Sequence, residues 1–162
     1  GKVNIAPVPF VKLVDVISAK DMYDEVVKAA EYSDIIIKAA AVADYRPAVV
    51  SDNKIKKKDG DMSIELTRTE DIIGTIGKNK KKEQFLCGFS METENMLENS
   101  KAKLDKKNLD MIVANNVKVK GAGFGTDTNV VTIITRNDCR ELPIMSKEEV
   151  ADAILDFIIS RN

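Results

Sequence analysis

The chain contains no histidine and no tryptophan. Without an imidazole, a histidine general base and a histidine-held metal ion are both excluded within this chain. Cysteine is scarce. Cys87 lies inside an apolar run and Cys139 in a polar turn, a placement that reads as two free thiols in a reducing compartment. Long apolar runs are missing too: Ile35–Ile37 and Val130–Ile134 fall far short of the roughly twenty residues of a bilayer-spanning helix, which argues against a membrane partner. No charged-then-apolar leader opens the sequence, so the expected compartment is the cytosol. There is also no charge excess of either sign, with 25 Lys and Arg against 26 Asp and Glu. That balance argues against nucleic acid as the main partner, because duplex-binding domains carry a basic excess.

What is present suits one globular domain. The 162 residues are 44% hydrophobic and 31% charged, enough apolar material for a sizeable core and too much for a disordered chain. The lysines are clustered, at Lys54–Lys58, Lys78–Lys82 and Lys101–Lys107.

Periodicity predicts an alternation of strands and helices. Val11–Ile17 reads as a strand. Ser18 with Asp21 forms a capping box for a helix that places Met22, Val26, Val27 and Ala30 on one face. Asp34–Ala41 is a β-branched run ending in alanines, the pattern of a buried parallel strand. Asp44–Gly60 is polar and predicts an irregular excursion, after which Met62, Ile64 and Leu66 alternate as a half-exposed strand. A short helix over Thr69–Lys80 has Asp71 near its start and lysines at its end, as the helix dipole favours. Gln84–Phe89 is a buried strand, Thr93–Lys107 a helix and Asp110–Ala114 a strand. Asn115–Asn129 is a long loop carrying Gly121, Gly123 and Gly125. Val130–Thr135 is a strand, with Leu142–Ile144 paired beside it. Ser146 and Glu149 box the start of a last helix, with Val150, Ile154, Leu155 and Ile158 facing inward. This order predicts an α/β fold with a doubly wound, mostly parallel sheet, and directs attention to the carboxyl ends of its strands.

Each segment at those ends has two readings. Ala39, Ala40 and Ala41 allow a flat ring to approach the backbone, and Asp44 follows where it can accept from a ribose hydroxyl or hold a divalent cation; the alternative is a tightly packed strand end. Lys54-Ile55-Lys56-Lys57 can present cations to a triphosphate or its leaving pyrophosphate, or is a solvated run. In Gly88–Asn95, Phe89 can face a base and the following helix start can meet an anion; otherwise it is a core aromatic and a cap. Lys103 and Lys107, four apart on one helix face, can grip phosphates or simply face solvent. Gly121–Gly125 precedes a strand instead of a helix and does not match a dinucleotide fingerprint.

Taken in order, Ala39–Pro47, Lys54–Lys57, Gly88–Asn95 and Lys107–Asn115 resemble bacterial phosphopantothenate–cysteine ligase, the synthetase half of the bifunctional coenzyme A biosynthesis protein. Pro9–Lys12 through Asp15–Val16 resembles the family's second-unit strand, and the resemblance covers essentially the whole chain. It implies a Rossmann-like sheet with an extended dimerisation arm at Val49–Leu66, in a homodimer where one subunit's arm closes the other's site. It also implies a reaction: 4'-phosphopantothenate attacks the α-phosphate of CTP, with Mg2+, giving an acyl cytidylate and pyrophosphate, and the amine of L-cysteine then displaces CMP.

Residue by residue, the resemblance implies that Lys54 is the catalytic lysine near the phosphates. Asp44 would contact the nucleotide or its magnesium, and Thr69, Glu70, Asp71 and Ile72 would line the nucleotide; the family often has Asn-Pro where this sequence has Thr69-Glu70. Phe89 would lie against the base, Lys103 and Lys107 would hold phosphates, and Ala39, Ala40 and Ala41 would lend backbone to the ring. FMN would belong only to the decarboxylase half, outside this chain. The family's first strand, glycine-rich loop and helix would precede Gly1, so residues 1–162 form the CTP-binding synthetase domain without that unit. Two other readings stand beside it. A dinucleotide-binding oxidoreductase domain needs a Gly-x-Gly-x-x-Gly element between strand and helix, and none is present. A non-catalytic nucleotide-binding remnant would bind CTP yet form no acyl cytidylate.

Overall fold

Ser18 accepts from the Asp21 N–H while the Asp21 carboxylate takes the Ser18 N–H, and this reciprocal box starts α1 (Ala19–Ala30). In the computed structural model, which describes residues 5–56, 60–91, 95–116 and 125–161, α1 leads into β1 (Ile35–Lys38). There follow β2 (Tyr45–Pro47), β3 (Leu66–Arg68), α2 (Ile72–Asn79), β4 (Phe85–Met91), α3 (Met96–Lys106) and β5 (Met111–Asn115). The chain closes with β6 (Thr128–Asn129), β7 (Val131–Ile134), β8 (Cys139–Glu141), β9 (Met145–Ser146) and α4 (Lys147–Ile159).

The main sheet has the order β1-β4-β5-β7-β8. β1, β4 and β5 are mutually parallel, β7 runs against β5, and β8 runs against β7. Four of the five strands therefore point the same way, and the mostly parallel α/β sheet expected from the alternating pattern is what forms. Side chains alternate across it. Ile36, Leu86, Ile112, Ala114 and Ile134 pack with α1, α2 and α3 on one face. Cys87, Met111, Val113, Val131 and Ile133 pack with α4 on the other. The central strand β5 is buried on both sides, as its unbroken apolar sequence requires.

Several boundaries differ from expectation. Val11–Ile17 pairs with no strand among the described residues; Leu13, Val14 and Val16 instead line an apolar cavity of about 490 Å³ beside α1 and β1. β1 is parallel as expected but not buried. It is the edge strand, so Ile36 meets the core while Ile35 and Ile37, on the same face as Cys87, lie outside the cluster packed on α4 and remain about 40% exposed. The Asp44–Gly60 excursion contains β2, which pairs antiparallel with β3 through Tyr45↔Arg68 and Pro47↔Leu66. The second strand of this ribbon is Leu66–Arg68, and Met62 and Ile64 precede it exposed.

α2 begins at Ile72 and not at Thr69, because the Asp71 side chain accepts from the Gly74 N–H and caps it. α3 begins at Met96 after an Asn95 N-cap at φ 47°; Thr93, where its start was expected, and Gly121 and Gly123 of the glycine-rich segment lie outside the described residues. The hairpin partner of β7 is Cys139–Glu141, three residues before the expected Leu142–Ile144. The turn closes early, with the Thr135 N–H donating to the Asp138 carbonyl at 2.8 Å, and Pro143 has no N–H with which to continue the ladder. In α4, Val150, Ile154 and Ile158 are buried as expected, but Leu155 is 46% exposed. It stands one position off the buried stripe.

Candidate nucleotide site

The parallel strands β1, β4 and β5 end on the same side of the sheet. Where β1 ends, the chain passes through Ala39–Ala43 to Asp44, and the next contact of this segment is with Thr69. The Thr69 N–H donates to the Asp44 carbonyl at 3.0 Å, and the Thr69 hydroxyl donates to the Ala43 carbonyl. This tie brings the end of β1 against the start of α2 and frames a cavity of about 330 Å³. Its walls come from Lys38, Val42, Asp44 and Tyr45, from Arg68 to Ile73, and from Lys107.

The electrostatic centre of the cavity is Asp71. Its Oδ1 accepts from the Gly74 N–H at 3.1 Å and from the Lys107 ammonium at 3.1 Å. Burial pushes this carboxyl upward, but the Gly74 N–H and the Lys107 cation outweigh it and hold the group below the usual carboxylate range. A Cβ on Gly74 would stand 2.5 Å from Asp71 Oδ2, so a side chain there would require the Asp71 carboxylate to shift.

Lys38, the last residue of β1, is half-buried and donates to the Ala40 carbonyl at 2.5 Å. Burial lowers its pKa below the ordinary lysine value, and the positive charge of Lys107 lowers it further. Arg68 stacks over the Tyr45 ring at 5.9 Å. Glu70 turns a carboxylate oxygen inward, Oε2, which is buried and has no hydrogen-bond partner among the described residues. An acceptor in that state suits a ligand hydroxyl, an amino group or a cation.

Of the residues expected at the site, Asp44, Thr69, Glu70, Asp71, Ile72 and Lys107 meet in this cavity. Others stand outside its walls. Ala39, Ala40 and Ala41 are exposed beyond β1; Ala39 and Ala40 border the apolar cavity along α1, and Ala40 and Ala41 a shallow one by Ser18. Phe89 is 37% exposed. Its neighbour Gly88 faces Ile73 and Leu109, so Phe89 points to the opposite face of the sheet. Lys103 is half-buried on α3 with an interaction of its own. Lys54 is exposed on the excursion between β2 and β3, just after a Ser51–Asn53 turn.

Sequence reasoning passed over Lys38, Arg68 and Gly74. A signal existed for the cap that involves the last, since an Asp three residues before a backbone N–H at a helix start is a common N-cap. Lys38 looked like the polar end of an apolar run, and nothing local revealed that a cavity lay beside it.

The sequence profile of the family described as DNA/pantothenate metabolism flavoprotein C-terminal domain matches residues 1–161. The chain belongs to that family. Among the relatives of this flavoprotein C-terminal domain, the coenzyme A biosynthesis bifunctional protein CoaBC of Bacillus subtilis is 51% identical over 153 residues, covering 94% of this chain and 37% of that protein. A protein from an unknown prokaryotic organism, named cysteine/cysteine sulfinic acid decarboxylase, is 46% identical over 151 residues, 93% of this chain and 42% of that protein. The chain therefore spans 37% to 42% of the length of these curated relatives. The crystal structure of the C-terminal domain of a CoaBC protein superposes with a TM-score of 0.80 at 42% identity, covering 99% of this chain and 72% of that one. Its fold is thus shared by this flavoprotein C-terminal domain almost from end to end.

Proposed function

We propose that the chain is the synthetase part of a CTP-dependent ligase that joins 4'-phosphopantothenate to L-cysteine in coenzyme A biosynthesis. The observation that carries this reading is the meeting of Asp44, Thr69–Ile72 and Lys107 in one cavity at the strand ends. These residues come from three separate stretches of sequence, and all of them are positions the family resemblance names. Membership of a family that includes CoaBC proteins supports it.

A carboxylate does not react with an amine until one of its oxygens becomes part of a good leaving group. In the first step a carboxylate oxygen of 4'-phosphopantothenate bonds to the α-phosphorus of CTP, and the bond to pyrophosphate breaks. In the second, the cysteine nitrogen bonds to the acyl carbon and gives up a proton to solvent, and CMP leaves with the electron pair of the cleaved acyl carbon–oxygen bond. The protein's share is positioning and charge stabilisation. Lys107, already in the cavity, meets phosphate charge, and Asp44 and Glu70 offer acceptors to ribose hydroxyls. A magnesium ion would take oxygens from Asp44 or Glu70 and the rest from phosphates and water. Those carboxylates fit it, since both line the cavity and one Glu70 oxygen has no hydrogen-bond partner among the described residues.

Lys54 belongs to an excursion whose Val49, Val50, Ile55, Met62 and Ile64 are all exposed. Such an apolar ribbon fits a dimerisation arm that carries Lys54 to the site of a second subunit. No helix among the described residues is long and apolar enough to cross a membrane.

The test supplies the protein with CTP, 4'-phosphopantothenate and L-cysteine and measures CMP, with ATP replacing CTP in parallel. CMP release in step with product, and dependent on cysteine, is the expected result. Carbon dioxide released from cysteine with no CMP would instead favour the chemistry in the decarboxylase relative's name. No CMP with all three substrates present removes the ligase reading.

A further inference from the structure

We propose that Lys38 is a second anion-binding residue of the cavity, its ammonium closing with that of Lys107 on one phosphate group of the bound ligand. This deepens the nucleotide reading of the site and rests on it. Both lysines line the cavity, and they come to it from separate elements, Lys38 from the end of β1 and Lys107 from the end of α3.

Their surroundings differ in one respect. Lys107 has a counter-ion, the Asp71 carboxylate. Lys38 forms no ion pair with any described residue; its ammonium meets the neutral carbonyl of Ala40. Of the carboxylates nearby, Asp71 is engaged by Lys107 and by the Gly74 N–H, and both it and Asp44 act on Lys38 only across a distance. The remaining cation of the cavity, Arg68, lies over Tyr45.

A half-buried ammonium without a counter-ion, close enough to a second ammonium to be disfavoured by it, is costly to the empty protein. Burial and Lys107 together hold the Lys38 ammonium below its ordinary pKa, the direction that a bound anion would reverse. A phosphate presents several charged oxygens around one centre, so it can accept from two lysines that approach from separate elements. Lys38 has three N–H donors, and one is used on Ala40. It can therefore keep its tether to the strand end and still bind.

Calorimetric titrations of the wild type, Lys38→Gln and Lys38→Arg with CTP, with inorganic pyrophosphate and with cytidine test this. Losing a charge-assisted hydrogen bond should weaken CTP and pyrophosphate binding about tenfold or more in Lys38→Gln. Lys38→Arg should recover most of that loss. Cytidine, which has no phosphate, should bind both variants as it binds the wild type, and the melting temperature of Lys38→Gln should be no lower. A merely structural role would instead move cytidine binding and melting together, overturning the proposal.

Wild-type affinity of Lys38→Gln for CTP and pyrophosphate also overturns it, while leaving the nucleotide reading intact. Pyrophosphate binding that depends on Lys38, without any CTP binding, would keep the lysine pair and remove the nucleotide. Binding of neither ligand to the wild type removes both. Should Lys38→Gln fail to fold, Lys38→Met is read by the same criteria.

Discussion

A Cβ on Gly77 would stand 1.8 Å from the backbone carbonyl oxygen of Lys107, so the last turn of α2 rests directly on the end of α3. Asn108, at φ 50°, fastens the contact by donating from Nδ2 to the Gly77 carbonyl at 2.9 Å. From that fixed backbone the Lys107 side chain runs back along α2 to Asp71 at the helix start. The position of the cavity's paired cation is thus set by helix packing at the far end of α2.

Gly77→Ala should therefore push α2 and α3 apart. Overpacking of this kind costs about 1–3 kcal/mol, and it should displace Lys107 as well. Urea unfolding gives the stability loss and pyrophosphate titration gives the second effect. Wild-type values in both would show that the helices slide apart without consequence.

The Asp71 carboxyl is lower in pKa in the folded chain than in the unfolded one. Its contribution to stability is complete above the unfolded value, about 3.9, and disappears as pH falls through the lower folded value. Asp71→Asn retains a capping side chain but does not titrate. Its denaturation midpoint should fall less steeply below about pH 4 than the wild type's. The capping-box carboxylates Asp21 and Glu149 are also lowered, so part of the acid sensitivity should persist. Superimposable acid limbs would contradict the assignment.

Lys80 is no solvated member of a lysine cluster. Its ammonium lies 2.5 Å from Asp110 with the lysine side chain 8% exposed, and Asp110 also accepts from the Leu86 N–H at 2.7 Å. Lys80→Ala would leave that carboxylate unpaired where β4 and β5 start, at a cost of about 3 kcal/mol. Exposed Lys82 serves as the comparison, with a change near zero. A similar small change for Lys80→Ala would show that Asp110 is adequately satisfied without it.

Lys54→Ala should reduce CMP formation far more than Lys81→Ala. Lys81 is exposed beyond the C-terminal end of α2, whereas the cavity lies at the start of that helix, and it spends its ammonium on the Glu31 carbonyl at 2.8 Å. Equal losses in a pyrophosphate-release assay would remove the case for the arm lysine.

The two cysteines should label in sequence. Burial, with a smaller push from Asp110, raises the Cys87 thiol to about 12, while Cys139 is exposed. At pH 8 iodoacetamide should modify Cys139 alone, and Cys87 should react only in denaturant, because the thiolate is the nucleophile. Mass spectrometry of the native protein showing two modifications would refute the burial of Cys87.

Much of the fold could be read from local pattern. Ser18 with Asp21 and Ser146 with Glu149 start helices where the sequence placed them, because a capping box is satisfied by residues three apart. The apolar runs at Ile35, Phe85, Met111 and Val131 also became strands, each paired with another of them. The misreadings share a cause. Val11–Ile17 and Leu142–Ile144 have strand-like composition, yet a strand continues only where hydrogen bonds do: the Leu142 N–H still donates to the Val131 carbonyl at 2.9 Å, and Pro143 then has none to offer. β1 reads as buried, yet burial depends on whether a helix covers each face.

For the site, the sequence by itself determined which residue types were available: no imidazole, clustered lysines, and carboxylates at Asp44, Glu70 and Asp71 beside strand and helix ends. Composition and short-range spacing suffice for that, since each is a property of neighbouring residues. Only the tertiary structure decided that Lys38 and Lys107, nearly seventy positions apart in the chain, share one cavity while Lys54 and Phe89 stand outside it. Helix packing at Gly77 and the Thr69 tie to Asp44 set those positions, and neither contact has any signature within a local stretch of sequence.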